Sequence, residues 1–497
     1  MSSATAKKAE NVERTAQVAY WEEHTQQATM EAMMLDSKAS EIDKLERPEV
    51  LGLLGDITGR RVLELGAGIG RFTSDLAKSA TKVAAYDFME SLTEQNKKTN
   101  GDLPNVEIQK GDVTKLELEE SSFDVIFSNW LLMYLSDEEV ESLALRALTW
   151  LSDTGMVFFR ESCFKQSGDM TRSSNPSHYR DPNSYFCIFD KVSWTDSKGR
   201  KFRFELVNAR CVETYVRIKQ NHNQIAFKWK KVEVTDSDVG DFRHFLDNCQ
   251  YQMRGILRYE RIFGAGYIST GGAHTTEELV AKLNLKKGEH VLDVGCGIGG
   301  GNFYMAEKYG VSVLGVDLSV NMFMVALERS LQKDLDVVFE VADITKREYP
   351  KQSFDVVYSR DTILHIDDKP KLFQRLYGFL KPGGRLLITD YCRADKTPSD
   401  QFAAYIKQRG YDLHSVNAYS KMLQDAGFVN VQGEDTTALF ETSLRRELAT
   451  AEANKESFIA DFSEQDYFAI VNGWREKLDR VSQGEQRWGL FIAEKAT

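Results

Sequence analysis

"RRVLELGAGIGRF", residues 60–72, is written again at 289–301 as "EHVLDVGCGIGGG". Each copy opens as a short apolar strand carrying one acid, Glu64 or Asp293, breaks on a run of spaced glycines and leads into a helix. A glycine turn between strand and helix lets a ligand approach the backbone and the helix N-terminus closely. The repetition extends outward from there. "KVAAYDFMESL" (82–92) matches "SVLGVDLSVNM" (312–322), and "KGDVTKLEL" (110–118) matches "VADITKREY" (341–349). "SFDVIFSNWLLMYL" (122–135) matches "SFDVVYSRDTILHI" (353–366), and "LSDTGMVFFRESC" (151–163) matches "LKPGGRLLITDYC" (380–392). All the blocks keep one nearly constant offset of about 230 residues, which reads as two homologous domains in tandem.

Within each copy, strands rich in β-branched and aromatic residues alternate with stretches of helical spacing. That alternation predicts an α/β fold with a mostly parallel sheet and helices on both faces. The join falls near 234–246, where "VTDSDVGDFRHFL" is acidic and weakly periodic, giving domains 1–238 and 239–497. A chain of 497 residues is too long for one ordinary core. Its hydrophobic fraction of 42% and charged fraction of 28% are those of a soluble globular protein. A net charge of −12 argues against nucleic acid. No apolar run is long enough to span a bilayer, and "MSSATAKKAENVERT" has no signal-peptide core, so the expectation is a cytoplasmic monomer without membrane insertion. The six cysteines form no C-x-x-C pair and the eight histidines are scattered, so no disulfide framework or metal site is expected.

Gly66-x-Gly68-x-Gly70 and Gly295-x-Gly297-x-Gly299 are compatible with a dinucleotide as well as with S-adenosylmethionine, and Asp87 and Asp317 suit ribose hydroxyls in either case. Glu64 and Asp293 discriminate. A carboxylate there would repel a pyrophosphate, whereas S-adenosylmethionine carries no phosphate and offers an amino group. Asp112 and Asp343, ending the third strands, fit an adenine amino group, with Val113 and Ile344 placed to pack on the ring. Each acid singly reads as a solvated strand end, but six in register are the blocks of class I (Rossmann-like) methyltransferases, with S-adenosylmethionine as methyl donor. A dinucleotide oxidoreductase, a methyltransferase acting on carbon, and a non-catalytic N-terminal module are the alternatives.

With "LELGAGIGRF", "SNWLLMYLSD", "RESC", "ILRYE", "STGG", "YSRDTILHI", "SDQFAAYIKQRGYDL" and "QRWGLFIA" in view, the chain closely resembles the plant-type phosphoethanolamine N-methyltransferases over almost its whole length. The resemblance implies a tandem enzyme. Its N-terminal domain methylates phosphoethanolamine once, and its C-terminal domain adds the second and third methyl groups to give phosphocholine. It implies a phosphobase pocket of Tyr251, Tyr259, Tyr391, Tyr405, Arg409, Tyr411 and Lys477. The implied cofactor contacts are Ile268, Ser269, Gly295, Asp317, Asp343, Ile344 and Arg360. His365 is the candidate proton acceptor, paired in the resemblance with Tyr251. In the first half the cofactor set is Gly66, Arg71, Asp87, Asp112, Val113 and Asn129. There "YIKQRGY" has no counterpart, and "ESCFKQSGDMTRSSNPSHYRDP" (161–182) takes its place, with Ser162, Ser167, Gly168, Arg172 and Tyr179 as candidate substrate contacts. Tyr134 stands where the second copy has His365, which leaves Tyr20 and His24 as weak candidates for the first proton acceptor. "RKFRFELV" (200–207) and "NQIAFKWKKV" (223–232) read as edge strands of the first sheet.

Overall fold

A computed structural model describes residues 3–25, 29–172, 174–235 and 242–497. The chain divides into two compact units, Met1–Val239 and Gly240–Thr497. The expected join at 234–246 overlaps residues 236–241, which lie outside the described residues.

In the first unit the strands are β1 (Arg61–Leu65), β2 (Lys82–Asp87), β3 (Val106–Lys110), β4 (Phe123–Asn129), β5 (Leu151–Ser162), β6 (Ser193–Thr195), β7 (Lys201–Cys211) and β8 (Gln224–Glu233). They lie in the order β7-β8-β5-β4-β1-β2-β3, with β6 paired to β7. The five strands from β1 to β5 are parallel, while β8 runs antiparallel to both β5 and β7. "RKFRFELV" and "NQIAFKWKKV" thus fall on β7 and β8; β8 is not the edge strand expected, since it pairs with β5 on one side and β7 on the other.

The second unit repeats the plan with β9 (His290–Val294), β10 (Ser312–Asp317), β11 (Val337–Ala342), β12 (Phe354–Arg360), β13 (Leu380–Arg393), β14 (Val429–Asp435) and β15 (Gln486–Glu494). Its order is β14-β15-β13-β12-β9-β10-β11, with β15 antiparallel between β13 and β14. Every residue of β11, "VVFEVA", is buried, as a parallel strand covered on two faces requires. β14, "VNVQGED", is a mostly exposed, charged edge strand, a composition that discourages further pairing.

The strand order reverses between β1 and β4, and again between β9 and β12. A crevice opens at the carboxyl ends of the strands at such a point. The helices that frame the crevices begin on polar caps. Ser136 and Glu139 form a capping box on Asp137–Trp150, and Ser399 caps Asp400–Arg409, which stops at Gly410 with φ 62°. Apolar side chains of strands and helices fill the cores, with Val62, Val83, Val125 and Phe158 in one unit and Tyr391, Trp474 and Trp488 in the other.

Candidate active site

Each crevice contains a cavity that starts at the glycine turn. In the first, Gly66, Gly68 and Gly70 all have positive φ, and the Gly68 N–H donates to Asp87 at 2.7 Å. A Cβ on Gly70 would meet Asn96 Oδ1 at 2.1 Å, so the turn's tightness depends on glycine there. Glu64 points in from β1, 2% exposed, and accepts from Thr73 Oγ1 at 2.6 Å. Burial pushes its carboxyl up to about 8, only partly offset by that hydrogen bond. Asp87 is likewise pushed up by burial. At Asp112 burial also acts upward, but hydrogen bonds from Thr114 outweigh it and hold the group below its ordinary value.

The second cavity repeats this arrangement. The Gly297 N–H donates to Asp317 at 2.9 Å. Burial pushes Asp293 up to about 8, against the pull of Arg360, and pushes Asp317 up to about 6. Asp343, like Asp112, is pushed up by burial but held low by Thr345. An open cradle of backbone with three acids around it, and accepting capacity to spare on each, fits a ligand that presents an amine, ribose hydroxyls and an adenine amino group. Among the described residues, no group of three or more His, Cys, Asp and Glu could hold a metal ion.

All eleven residues expected in the first half line the first cavity: Gly66, Arg71, Asp87, Asp112, Val113 and Asn129 toward the turn, and Ser162, Ser167, Gly168, Arg172 and Tyr179 beyond it. Arg71 is buried and already ion-paired with Asp43 at 2.6 Å and Glu46 at 2.8 Å. Ser162 and Ser167 lie 3.0 Å apart, and Gln224 Nε2 donates to both. Arg172 donates to the Tyr179 hydroxyl at 3.1 Å. Gly168 packs on the Leu35 carbonyl, which a Cβ would approach to 2.2 Å. Tyr20 and His24 are outside the lining. Tyr20 is buried behind it with its hydroxyl pushed up to about 12 by burial, and its ring packs on His24 at 4.2 Å.

Sequence reasoning missed that the helix Ser3–His24 walls this cavity through Arg14, Gln17 and Trp21. They share one helix face at i, i+3, i+7, but two of the three are polar, so no apolar period marks them. Gln17 Nε2 donates to the Tyr134 carbonyl at 2.6 Å. Also missed was Glu161 at the end of β5. Its carboxylate accepts backbone N–H groups of Leu131, Leu132 and Met133, and burial pushes it up to about 7.

In the second half, Ile268, Ser269, Gly295, Asp317, Asp343, Ile344 and Arg360 line one end of the cavity. Tyr251, Tyr259, His365, Tyr391, Arg409, Tyr411 and Lys477 line the other. Tyr405 is the exception. It packs on Tyr411 at 5.9 Å, with the Arg480 guanidinium 3.8 Å over its ring, and does not line the cavity. Tyr251 and His365 share the cavity without a hydrogen bond between them. The Tyr251 hydroxyl accepts from Gln250 at 3.1 Å, and His365 Nδ1 is buried with no partner. Burial, with Arg409 and Lys369 nearby, pulls His365 down to about 4, so the ring is neutral near pH 7. Lys477 is pulled down to about 8 by burial, opposed by Glu447. This end therefore combines two cations, four phenols and a neutral imidazole.

Comparison with known proteins bears on the family. The description "Methyltransferase domain" matches residues 62–155 and again 285–441. Phosphoethanolamine N-methyltransferase 1 of Triticum aestivum is 57% identical over 487 residues, 97% of each chain. Phosphoethanolamine N-methyltransferase 1 of Arabidopsis thaliana is 56% identical over 485 residues, 97% of this chain and 98% of that one. The structure of Haemonchus contortus phosphoethanolamine N-methyltransferase 2, in complex with phosphomonomethylethanolamine and S-adenosylhomocysteine, superposes with a TM-score of 0.76. It is 28% identical and covers 92% of this chain and 99% of its own. With identity of this order along almost its whole length, the chain belongs to the phosphoethanolamine N-methyltransferase family.

Proposed function

We propose that this protein methylates phosphoethanolamine three times at nitrogen, to phosphocholine, with the first unit performing the first step and the second unit the other two. The observation that carries the reading is the far end of the second cavity, where neutral His365 stands among Arg409, Lys477 and four tyrosines, across from the glycine turn. S-adenosylmethionine, when bound at that turn, supplies a methyl group on a positively charged sulfur.

The residues then have these roles. Arg409 offers a planar fork for a phosphate, and Lys477 a second positive charge. The faces of Tyr251, Tyr259, Tyr391 and Tyr411 suit a methylated cation. An alkylamine with a pKa of about 10 is ammonium at pH 7 and has no lone pair, and removing its proton costs roughly 4 kcal/mol. His365, neutral and with an unpartnered ring nitrogen, takes that proton. In the first unit Arg172, Tyr179, Ser162, Ser167 and Gly168 hold the phosphobase, and Gly66, Arg71, Asp87, Asp112, Val113 and Asn129 the cofactor. The same reading has a monomer working in the cytoplasm. Among the described residues no helix is long and apolar enough to cross a membrane.

Product analysis by mass spectrometry tests the division. The His365→Ala protein given phosphoethanolamine should accumulate the monomethyl phosphobase. Asp87→Ala should barely turn over phosphoethanolamine, yet convert added monomethyl phosphobase to phosphocholine. Loss of the first methylation in His365→Ala would overturn the division of steps.

A further inference from the structure

The two units differ by a reciprocal exchange at the floor of the cavity. Trp130 follows β4 and Asp361 follows β12 at the same place in the repeat. Both have positive φ, 60° and 50°, and each N–H donates at 2.8 Å to the neighbouring strand, to the carbonyls of Arg160 and Thr389. Across the sheet, Gln224 on β8 stands opposite Ser162, and Trp488 on β15 stands opposite Tyr391. Ser162 and Tyr391 occupy the same position of the repeat. The indole has therefore changed sides. In the first unit Trp130 Nε1 donates to Gln224 Oε1 at 2.8 Å, and in the second Trp488 Nε1 donates to Asp361 Oδ1 at 2.7 Å. The hydrogen bond is kept and its direction across the sheet reversed.

We propose that this exchange, Trp130–Gln224 against Asp361–Trp488, determines which methylation state of the acceptor amine each cavity takes. The proposal rests on the division of steps above. Each methylation replaces an N–H donor with a methyl group but leaves the protonated amine its charge. A carboxylate attracts the cation however many N–H groups remain, whereas neutral acceptors need those donors. In the second cavity Asp361 is among the lining residues, and its Oδ2 is buried with no hydrogen-bond partner. In the first, the carboxylates that line the cavity among the described residues are Glu64, Asp87 and Asp112, all by the glycine turn, and the acceptors beyond are hydroxyls such as Ser162 and Ser167. A site that reads N–H groups rejects an analogue lacking one, because an acceptor is then left unpaired.

The rigidity of the first floor acts in the same direction. Trp130 cannot swing away to make room, since its ring is held by Gln224 on one edge and lies 3.7 Å from the guanidinium of Arg160, a fully buried residue.

The test uses the full chain with Asp317→Ala, which silences the second cavity. This protein should methylate phosphoethanolamine with a kcat/KM at least tenfold above that for the monomethyl phosphobase. Adding Trp130→Asp with Gln224→Trp should narrow that preference at least tenfold. Equal use of both acceptors before the exchange, or an unchanged ratio after it, overturns the proposal. The complementary arm is isosteric and keeps the fold: Asp361→Asn in a chain carrying Asp87→Ala. There kcat/KM for the dimethyl phosphobase should fall at least tenfold at unaltered S-adenosylhomocysteine affinity, and an unchanged kcat/KM overturns the proposal equally. If the Asp317→Ala protein turns over no phosphoethanolamine, the division of steps has failed, and the Asp361→Asn arm still decides whether the carboxylate reads the methylated amine.

Discussion

Lys477 and Arg409 show how a buried charge can serve as a measuring device. Burial pulls Lys477 down to about 8, so its ammonium is present at pH 7 and lost as pH rises through 8. The KM for the monomethyl phosphobase should therefore climb above pH 8, and Lys477→Met should remove that limb from the pH profile. Arg409→Ala should weaken phosphobase binding about ten- to a hundredfold, since a hydrogen bond to a charged group is worth roughly 1.5–3 kcal/mol. Titration calorimetry should find S-adenosylmethionine affinity unaltered in that variant, and comparable loss for both ligands would place Arg409 in the scaffold instead. These charged residues stood out in the sequence through the family resemblance. Gln224 and Glu161 did not, because their contacts span 57 to 94 residues or turn back on the backbone, and no local spacing encodes either.

Among the elements, the glycine turns were the most legible because geometry allows so few residues there. A Cβ on Gly295 would meet Thr362 Oγ1 at 2.0 Å, and its φ of 76° is one that side chains rarely adopt. Gly295→Ala should accordingly abolish binding in the second cavity and leave the first intact, halving the calorimetric stoichiometry from two to one. A stoichiometry that stays at two would show that the turn can relax. The parallel strands were equally plain from their unbroken apolar runs. Over the helix Ser3–His24 the sequence offers only the lack of a signal-peptide core and the weak candidates Tyr20 and His24. Its cavity-facing stripe of Arg14, Gln17 and Trp21 is mixed in polarity, so apolar periodicity passes over it. The stretch 161–182 is legible as taking the place of the missing "YIKQRGY", and its candidates Ser162, Ser167, Gly168, Arg172 and Tyr179 line one cavity. Tyr405 strays from the cavity because its own helix turns it toward Phe402 and Tyr411.

At the scale of the whole molecule, duplication doubles a thermodynamic burden as well as a site. Glu64 and Asp293 are pushed up to about 8, Glu161 to about 7 and Asp317 to about 6, all by burial. A carboxyl whose folded pKa lies above its unfolded value favours folding when protonated. Its contribution is complete below about pH 4 and is lost as pH rises through the folded pKa. The ligand-free protein should thus melt at lower temperature at pH 8 than at pH 6. Glu64→Gln together with Asp293→Asn should flatten the slope, each kcal/mol being worth roughly 2–4 °C in domains of this size. Scanning calorimetry at the two pH values checks it, and a flat profile for the unaltered chain would contradict the buried acids. His365 has the opposite sign: its neutral form is favoured in the fold, so it costs stability only as pH falls from about 6.5 toward 4.

The unequal floors of the two cavities also bear on how such a chain could be inhibited. A phosphonate carrying a permanent quaternary cation would suit the carboxylate-floored cavity and be refused by the indole-floored one. Dosing with it would not extinguish methyl consumption; the curve would level off while the first unit went on working. The half-finished phosphobase would then pile up as the visible sign of a drug that had reached only one of its two targets.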